Sequence, residues 1–160
     1  RRALGFDMKV LYHNRSRLPA DKEAACRASW VDKETLLREA DFLVVMVPYS
    51  PATHHFIKAE VIAQMEKSAI LINTARGGVV DDAALIAAIK AGTIAGAALD
   101  VFEGGPKLNP EYLALRNVVL TPHIGSATRS TRMAMLRLAV KNLSAALRGE
   151  DPPNWVNRPS

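Results

Sequence analysis

An α/β fold with a doubly wound parallel sheet is what this 160-residue sequence predicts, and three observations carry it. Short apolar runs alternate with stretches of helical periodicity. The apolar runs at Phe42–Pro48 and Ala69–Ala75 are continuous rather than alternating, the pattern of parallel strands buried on both faces. The chemistry-bearing polar residues cluster just after the apolar runs, at the strand ends where such sheets bind ligands.

The elements follow in order. Lys9–Asn14 reads as a strand and Ala28–Val31 as a short, weak one. Asp32 is placed to cap a helix in which Thr35, Leu36 and Leu37 precede a polar stop at Arg38–Asp41. Phe42–Pro48 is the next strand, Ala59–Met65 a short helix, and Ala69–Ala75 a second buried strand. Asp81 and Asp82 open a helix that ends at Gly92, with negative charge at the positive end of its dipole. Ile94–Val101 is a strand of small residues, so something packs close to it. Val118–His123 is a further strand. From about Ser126 to Arg148 runs a long helix whose Met133, Leu136, Val140, Leu143 and Leu147 form one apolar stripe at spacings of three and four, stopped by Gly149. The tail Asp151–Ser160 has three prolines and no periodicity.

Composition narrows the function classes. Hydrophobic residues make up 49% and charged residues 23%, which excludes a disordered chain or a collagen-like repeat. The single cysteine, Cys26, cannot form an internal bridge, so a reducing cytoplasm is the expected setting. Apolar runs such as Phe42–Val47 are far below the ~20 residues of a membrane-spanning helix, so no membrane role is expected. The net charge is +5. Its basic residues divide between the two ends of the chain around an acid-leaning middle, with no aromatic-flanked basic run, so nucleic acid is not an expected partner.

Three groups of residues stand out at the strand ends. Arg76, in Thr74-Ala75-Arg76-Gly77-Gly78, can fork onto a carboxylate, and the paired glycines let backbone approach a ligand. His123, between Thr121-Pro122 and Ile124-Gly125-Ser126, suits a general acid/base. Asn14-Arg15-Ser16-Arg17 ends the first strand, where a dinucleotide fold meets the adenosine ribose. With no acidic residue and two arginines, that loop favours NADPH over NADH. His13, His54 and His55 read as structural; their spacing points to no metal, and Cys26 has no partner ligand nearby.

The run from TARGG (Thr74–Gly78) through LDVFEGGP (Leu99–Pro106) to TPHIGSAT (Thr121–Thr128) resembles the D-isomer-specific 2-hydroxyacid dehydrogenases. VPYSPAT (Val47–Thr53) and DPPNWVN (Asp151–Asn157) are similar to their glyoxylate/hydroxypyruvate and 2-ketogluconate reductase branch. The resemblance implies a Rossmann-like fold and reduction of a small 2-oxo acid to the D-2-hydroxy acid. In it, Arg76 matches the arginine that binds the substrate carboxylate, and His123 the acid that protonates the carbonyl oxygen. Asp100 matches the aspartate near the nicotinamide carboxamide. Val47, Pro48 and Thr53 lie where the family contacts cofactor ribose and phosphate, and Thr74, Ala75 and Gly125 near the nicotinamide and its ribose. A homodimer is the implied assembly of the complete enzyme.

Two departures from the family pattern are visible. The glutamate expected immediately before the proline of LDVFEGGP is Gly105 here, with Glu103 two residues earlier as a possible substitute. The chain also carries no GxGxxG loop, and Arg1–Leu4 resembles the end of the helix that follows such a loop. The expectation is therefore a fragment: residues 1–149 as a partial dinucleotide-binding domain, 150–160 as a tail returning to a substrate domain, and a sheet lacking its central first strand, divided into two half-sheets with open inner edges. Beside the reductase reading stand a dinucleotide-binding, corepressor-like module with weakened catalysis and a nonfunctional truncated remnant.

Overall fold

A computed structural model describes residues 2–105 and 107–158. Arg1, the proline that ends LDVFEGGP and the last two residues of the tail lie outside them. The chain divides after Pro122 into two compact units.

In the first unit the elements are β1 (Val10–Tyr12), α1 (Ala20–Cys26), β2 (Ala28–Trp30), α2 (Lys33–Glu39), β3 (Phe42–Val45), α3 (Ala59–Ile62), β4 (Ile70–Asn73), α4 (Asp82–Lys90), β5 (Gly96–Leu99) and β6 (Val118–Leu120). All strand pairs are parallel. They form two sheets, β1-β2 and β3-β4-β5-β6, so β1 and β3 each have one open edge among the described residues. This is the divided, partial doubly wound architecture that the sequence leads one to expect. The register of the larger sheet sets Val45, Asn73, Leu99 and Leu120 in one row. The four strands thus end level, and the segments after them leave from one edge.

Local signals behave as their chemistry dictates. The Asp32 side chain accepts from the Thr35 N–H and caps α2, and Asp81 accepts from the Ala84 N–H and caps α4. Gly92 takes a left-handed φ of 68° just past α4. The small residues of β5 have a cause: a Cβ on Gly96 would stand 2.3 Å from the Asn117 carbonyl oxygen. α1 has no apolar stripe to announce it and is not among the expected elements.

Two burial expectations need correction. The β3 run is covered on one face only: Leu43 and Val45 are buried, whereas Phe42 is 49% and Val44 51% exposed. In β4, Leu71 and Asn73 are buried while Ile70 and Ile72 are half-buried. A continuous apolar run reports that both faces of a strand are apolar, not that both have been covered. The core of this unit lies on the covered face, where Leu43, Leu71, Val79, Leu85 and Ile94 meet.

The second unit contains α5 (Arg129–Leu147), capped by Thr128 accepting from the Thr131 N–H. Gly149 follows its end at a φ of 73°. All five residues of the expected apolar stripe, from Met133 to Leu147, are exposed. Further along, the Asn154 N–H donates to Asn142 Oδ1 and ties the tail to the helix.

Candidate active site

The segments after β3, β4 and β5 enclose a cleft of about 930 Å³. It gathers Val47, Pro48, Thr74, Ala75, Arg76 and Gly105 from the sequence-derived set, with Tyr49, His54, Phe102 and Glu103 beside them.

The turn after β4 presents Arg76. Asn73, only 1% exposed, braces it from below: its Nδ2 donates to the Arg76 carbonyl and its Oδ1 accepts the Ala75 N–H, both at 3.0 Å. The Arg76 guanidinium is exposed and spends one donor on the Ala75 carbonyl at 2.7 Å. Its remaining N–H groups can take a carboxylate. The two glycines that follow line the cleft and are also required by packing. A Cβ on Gly77 would lie 1.8 Å from the Phe102 carbonyl oxygen, and one on Gly78 would lie 2.8 Å from the Tyr49 ring.

Gly105 sits at a φ of 64°, with no described atom within 4 Å of where a Cβ would stand. Glu103 is committed elsewhere. Its Oε1 meets His55 Nε2 at 2.5 Å, and its backbone N–H donates to Asp82 Oδ2 at 3.2 Å. Asp82 is buried and accepts from the Tyr112 hydroxyl at 3.0 Å. Burial raises both the Asp82 carboxyl and the Tyr112 phenol above their ordinary values. The sequence reading set His54 and His55 aside as structural. The fold brings both to Glu103, with donor atoms of the three side chains within 4.8 Å of one another. That pairing spans 48 residues, so spacing along the chain gave no sign of it.

Other expected residues lie apart from the cleft lining. Thr53 closes its own loop, its hydroxyl donating to the Pro48 carbonyl and accepting the Ser50 N–H, both at 2.7 Å. The Asp100 carboxylate accepts from the Thr121 hydroxyl at 2.5 Å. Asn14, Arg15 and Ser16 leave β1 in the smaller sheet. Their loop is built on Glu23, whose carboxylate takes a two-pronged contact from Arg17, at 2.8 Å per bond, and the Tyr12 hydroxyl at 2.6 Å. The Tyr12 oxygen in turn accepts the Leu18 N–H at 2.8 Å. The Arg17 contact first, and then the Tyr12 hydrogen bond, hold the Glu23 carboxyl down at about 2. Arg17 is therefore a strut of the loop, and Arg15 is the arginine left outside that network.

In the second unit His123 is exposed and takes a left-handed φ of 54°, uncommon for a residue with a side chain. With Ser126, Ala127, Arg132 and Met135 it lines an open depression of about 320 Å³. Gly125 lies between His123 and Ser126. No described helix is long and apolar enough to cross a membrane.

Comparison with known proteins places this arrangement. The family profile "D-isomer specific 2-hydroxyacid dehydrogenase, NAD binding domain" matches residues 1–125. The chain is 52% identical over 158 residues to a glyoxylate reductase of Thermococcus litoralis, covering 99% of this chain and 47% of that one. It is 52% identical over 155 residues to a glyoxylate/hydroxypyruvate reductase B of Erwinia tasmaniensis, covering 96% and 48%. Among solved structures it matches an NADPH-dependent glyoxylate/hydroxypyruvate reductase of Sinorhizobium meliloti, crystallised with NADP and malonate. The TM-score there is 0.83 and the identity 36%, over 91% of this chain and 44% of that one. The chain spans about half the length of the curated relatives it matches. On the family profile and on this identity along its whole length, the chain belongs to the D-isomer specific 2-hydroxyacid dehydrogenases, matching their NAD binding domain.

Proposed function

We propose that this chain is the dinucleotide-binding section of an NADPH-dependent reductase of small 2-oxo acids, of the size of glyoxylate, hydroxypyruvate or 2-ketogluconate. The observation that carries it is Arg76: a guanidinium at a strand-end cleft, on a turn whose backbone a buried asparagine holds, in a chain half identical to glyoxylate reductases.

The residues fit a dinucleotide. The cleft is lined by backbone and small side chains at Val47, Pro48, Thr74 and Ala75, and the loop after β1 offers Asn14, Arg15 and Ser16 with no carboxylate among them. In this reading Val47, Pro48, Thr53, Thr74, Ala75, Asp100 and Gly125 hold the cofactor's ribose, phosphate and nicotinamide. Arg15 and Ser16 receive a 2′-phosphate, which favours NADPH over NADH. When bound, NADPH supplies the electrons as hydride. Arg76 binds the substrate carboxylate and draws charge toward the carbonyl oxygen, and a ring N–H of His123 gives that oxygen its proton. Residues 1–149 act as the dinucleotide-binding part and 150–160 as a tail toward a substrate-binding part. A second copy covering the exposed stripe of α5 makes a homodimer, in a cytoplasmic setting.

Steady-state reduction of glyoxylate by NADPH and by NADH tests the reading. Turnover that falls at least 100-fold in Arg76→Ala and in His123→Ala supports it, and turnover unchanged in both sinks it. Gly105 favours a second reading. Without a carboxylate at that position, and with Glu103 on His55, the protein binds the dinucleotide and turns substrate over poorly. Tight NADPH binding without turnover selects that reading.

A further inference from the structure

We propose that His54, His55 and Glu103 form a binding site for one divalent transition-metal ion of zinc's class, tying the segment after β3 to the segment after β5. This site does not depend on the cofactor reading.

The three side chains come from two segments of the first unit, and one donor atom of each lies within 4.8 Å of the other two. Two imidazoles and one carboxylate are a donor set that zinc, cobalt and nickel accept, with a water completing four-coordination. Magnesium and calcium prefer oxygen donors and are not served by it. The His55–Glu103 hydrogen bond of 2.5 Å marks where the ion enters. Metal–ligand bonds of about 2.0–2.1 Å set tetrahedral donors roughly 3.3 Å apart, so the ion takes the place of the shared hydrogen while the partly exposed Glu103 carboxylate moves outward by under an ångström.

The surroundings are already those of metal ligands. A ligating histidine generally turns its other ring nitrogen to a carboxylate or another polar group that orients it. His55 uses Nε2 for Glu103, and its Nδ1 faces Asp81 Oδ2 at 3.7 Å. Asp81 is itself fixed, its other oxygen capping α4 through the Ala84 N–H. The Nδ1 of His54 lies 3.4 Å from the Tyr49 hydroxyl, a polar partner for this ring. The two imidazoles stack with ring centres 3.9 Å apart and planes 24° from parallel, so one ring, that of the more exposed His54, turns for both nitrogens to face a single ion. Each ligand is also anchored by its backbone. The His54 N–H donates to the Ser50 carbonyl and the His55 N–H to the Gly78 carbonyl, both at 2.9 Å, and the Glu103 N–H donates to buried Asp82. His55 is held at a φ of 49°, a conformation that a side chain rarely takes without such restraint.

The consequence is local. His54 and Glu103 line the same cleft as Arg76 and Gly105. A dication on one carboxylate and two neutral imidazoles leaves a net positive charge there, beside the guanidinium, and fixes the residue that precedes Gly104-Gly105.

Calorimetric titration of the protein with Zn²⁺, Co²⁺ and Mg²⁺ tests this, with the cobalt complex also followed by its visible absorption. The expected result is one Zn²⁺ or Co²⁺ per chain, a four-coordinate cobalt spectrum and no matching response to Mg²⁺. His54→Ala and Glu103→Gln each weaken Zn²⁺ at least tenfold, while His13→Gln, outside the cluster, leaves it unchanged. Glu103→Gln keeps the backbone bond to Asp82, and a circular dichroism melt verifies that each variant is folded. Binding that survives in the urea-unfolded chain, that is indifferent to either His54→Ala or Glu103→Gln, or that Mg²⁺ matches overturns the site. Absence of Zn²⁺ binding to the folded protein overturns it as well.

Discussion

Asn73 holds Arg76 in place by its backbone: the buried amide donates to the Arg76 carbonyl and accepts from the Ala75 N–H, each at 3.0 Å. Replacing Asn73 by alanine leaves both backbone groups without their partner. Urea unfolding should show a loss of about 2 kcal/mol. If Arg76 binds substrate, the KM for the 2-oxo acid should rise more than kcat falls. A stability change under a few tenths of a kcal/mol would show that water replaces the amide without cost.

Gly77 is fixed by the Phe102 carbonyl oxygen, 1.8 Å from where its Cβ would stand. Gly77→Ala forces backbone apart in the wall of the cleft and should cost about 3 kcal/mol, read as a lower urea midpoint. The neighbouring Gly78→Ala meets the Tyr49 ring, a side chain that can turn away, and should cost visibly less.

In the proposed reading Gly105 takes the position of the family's glutamate, and its φ of 64° sets a condition on placing one there. A glutamate there meets open space but takes a left-handed backbone, at a cost of roughly 1–2 kcal/mol. Gly105→Glu should therefore raise turnover of glyoxylate with NADPH at least tenfold while lowering the melting temperature. Turnover that stays level would assign the histidine's partner to another group.

In the loop after β1, Arg17 is bonded to Glu23, and in the proposed reading Arg15 meets the 2′-phosphate. Arg15→Ala should weaken NADPH much more than NADH, because only the former carries a 2′-phosphate. Arg17→Ala removes the strut on Glu23 and should weaken both cofactors together. Equal losses for Arg15→Ala would remove the 2′-phosphate argument.

Glu23 also makes stability depend on pH in a stated direction. Its carboxyl is lowered from an ordinary 4.5 to about 2 by the Arg17 contact and the Tyr12 hydrogen bond. The charged form is thus favoured in the folded chain. The stabilisation is full above pH 4.5 and is lost as pH falls toward 2. Denaturation midpoints across that window should drop less steeply in Glu23→Gln than in the parent. Parallel curves would show that the triad persists in the unfolded chain.

Much of the architecture is local in origin and so was legible. Caps at Asp32 and Asp81, the stops at Gly92 and Gly149 and the strand runs all follow from the chain's own near neighbours. The motifs around Arg76 and His123 led to the family directly. The helix α1 escaped because its seven residues, ADKEAAC, carry no apolar stripe.

What only the tertiary structure decided concerns pairs far apart in the chain. The sequence by itself determined which residues are apolar on β3 and α5, that the strands would be parallel in two sheets, and that position 105 lacks a carboxylate. The fold decided that Phe42 and Val44 stay exposed, that Gly77 answers to Phe102, that Arg17 belongs to Glu23, and that Glu103 meets His55 across 48 residues. The physical reason is the range of the forces. Caps and periodicity act within a turn or two. Burial and side-chain pairing depend on which distant surfaces the packed chain brings together.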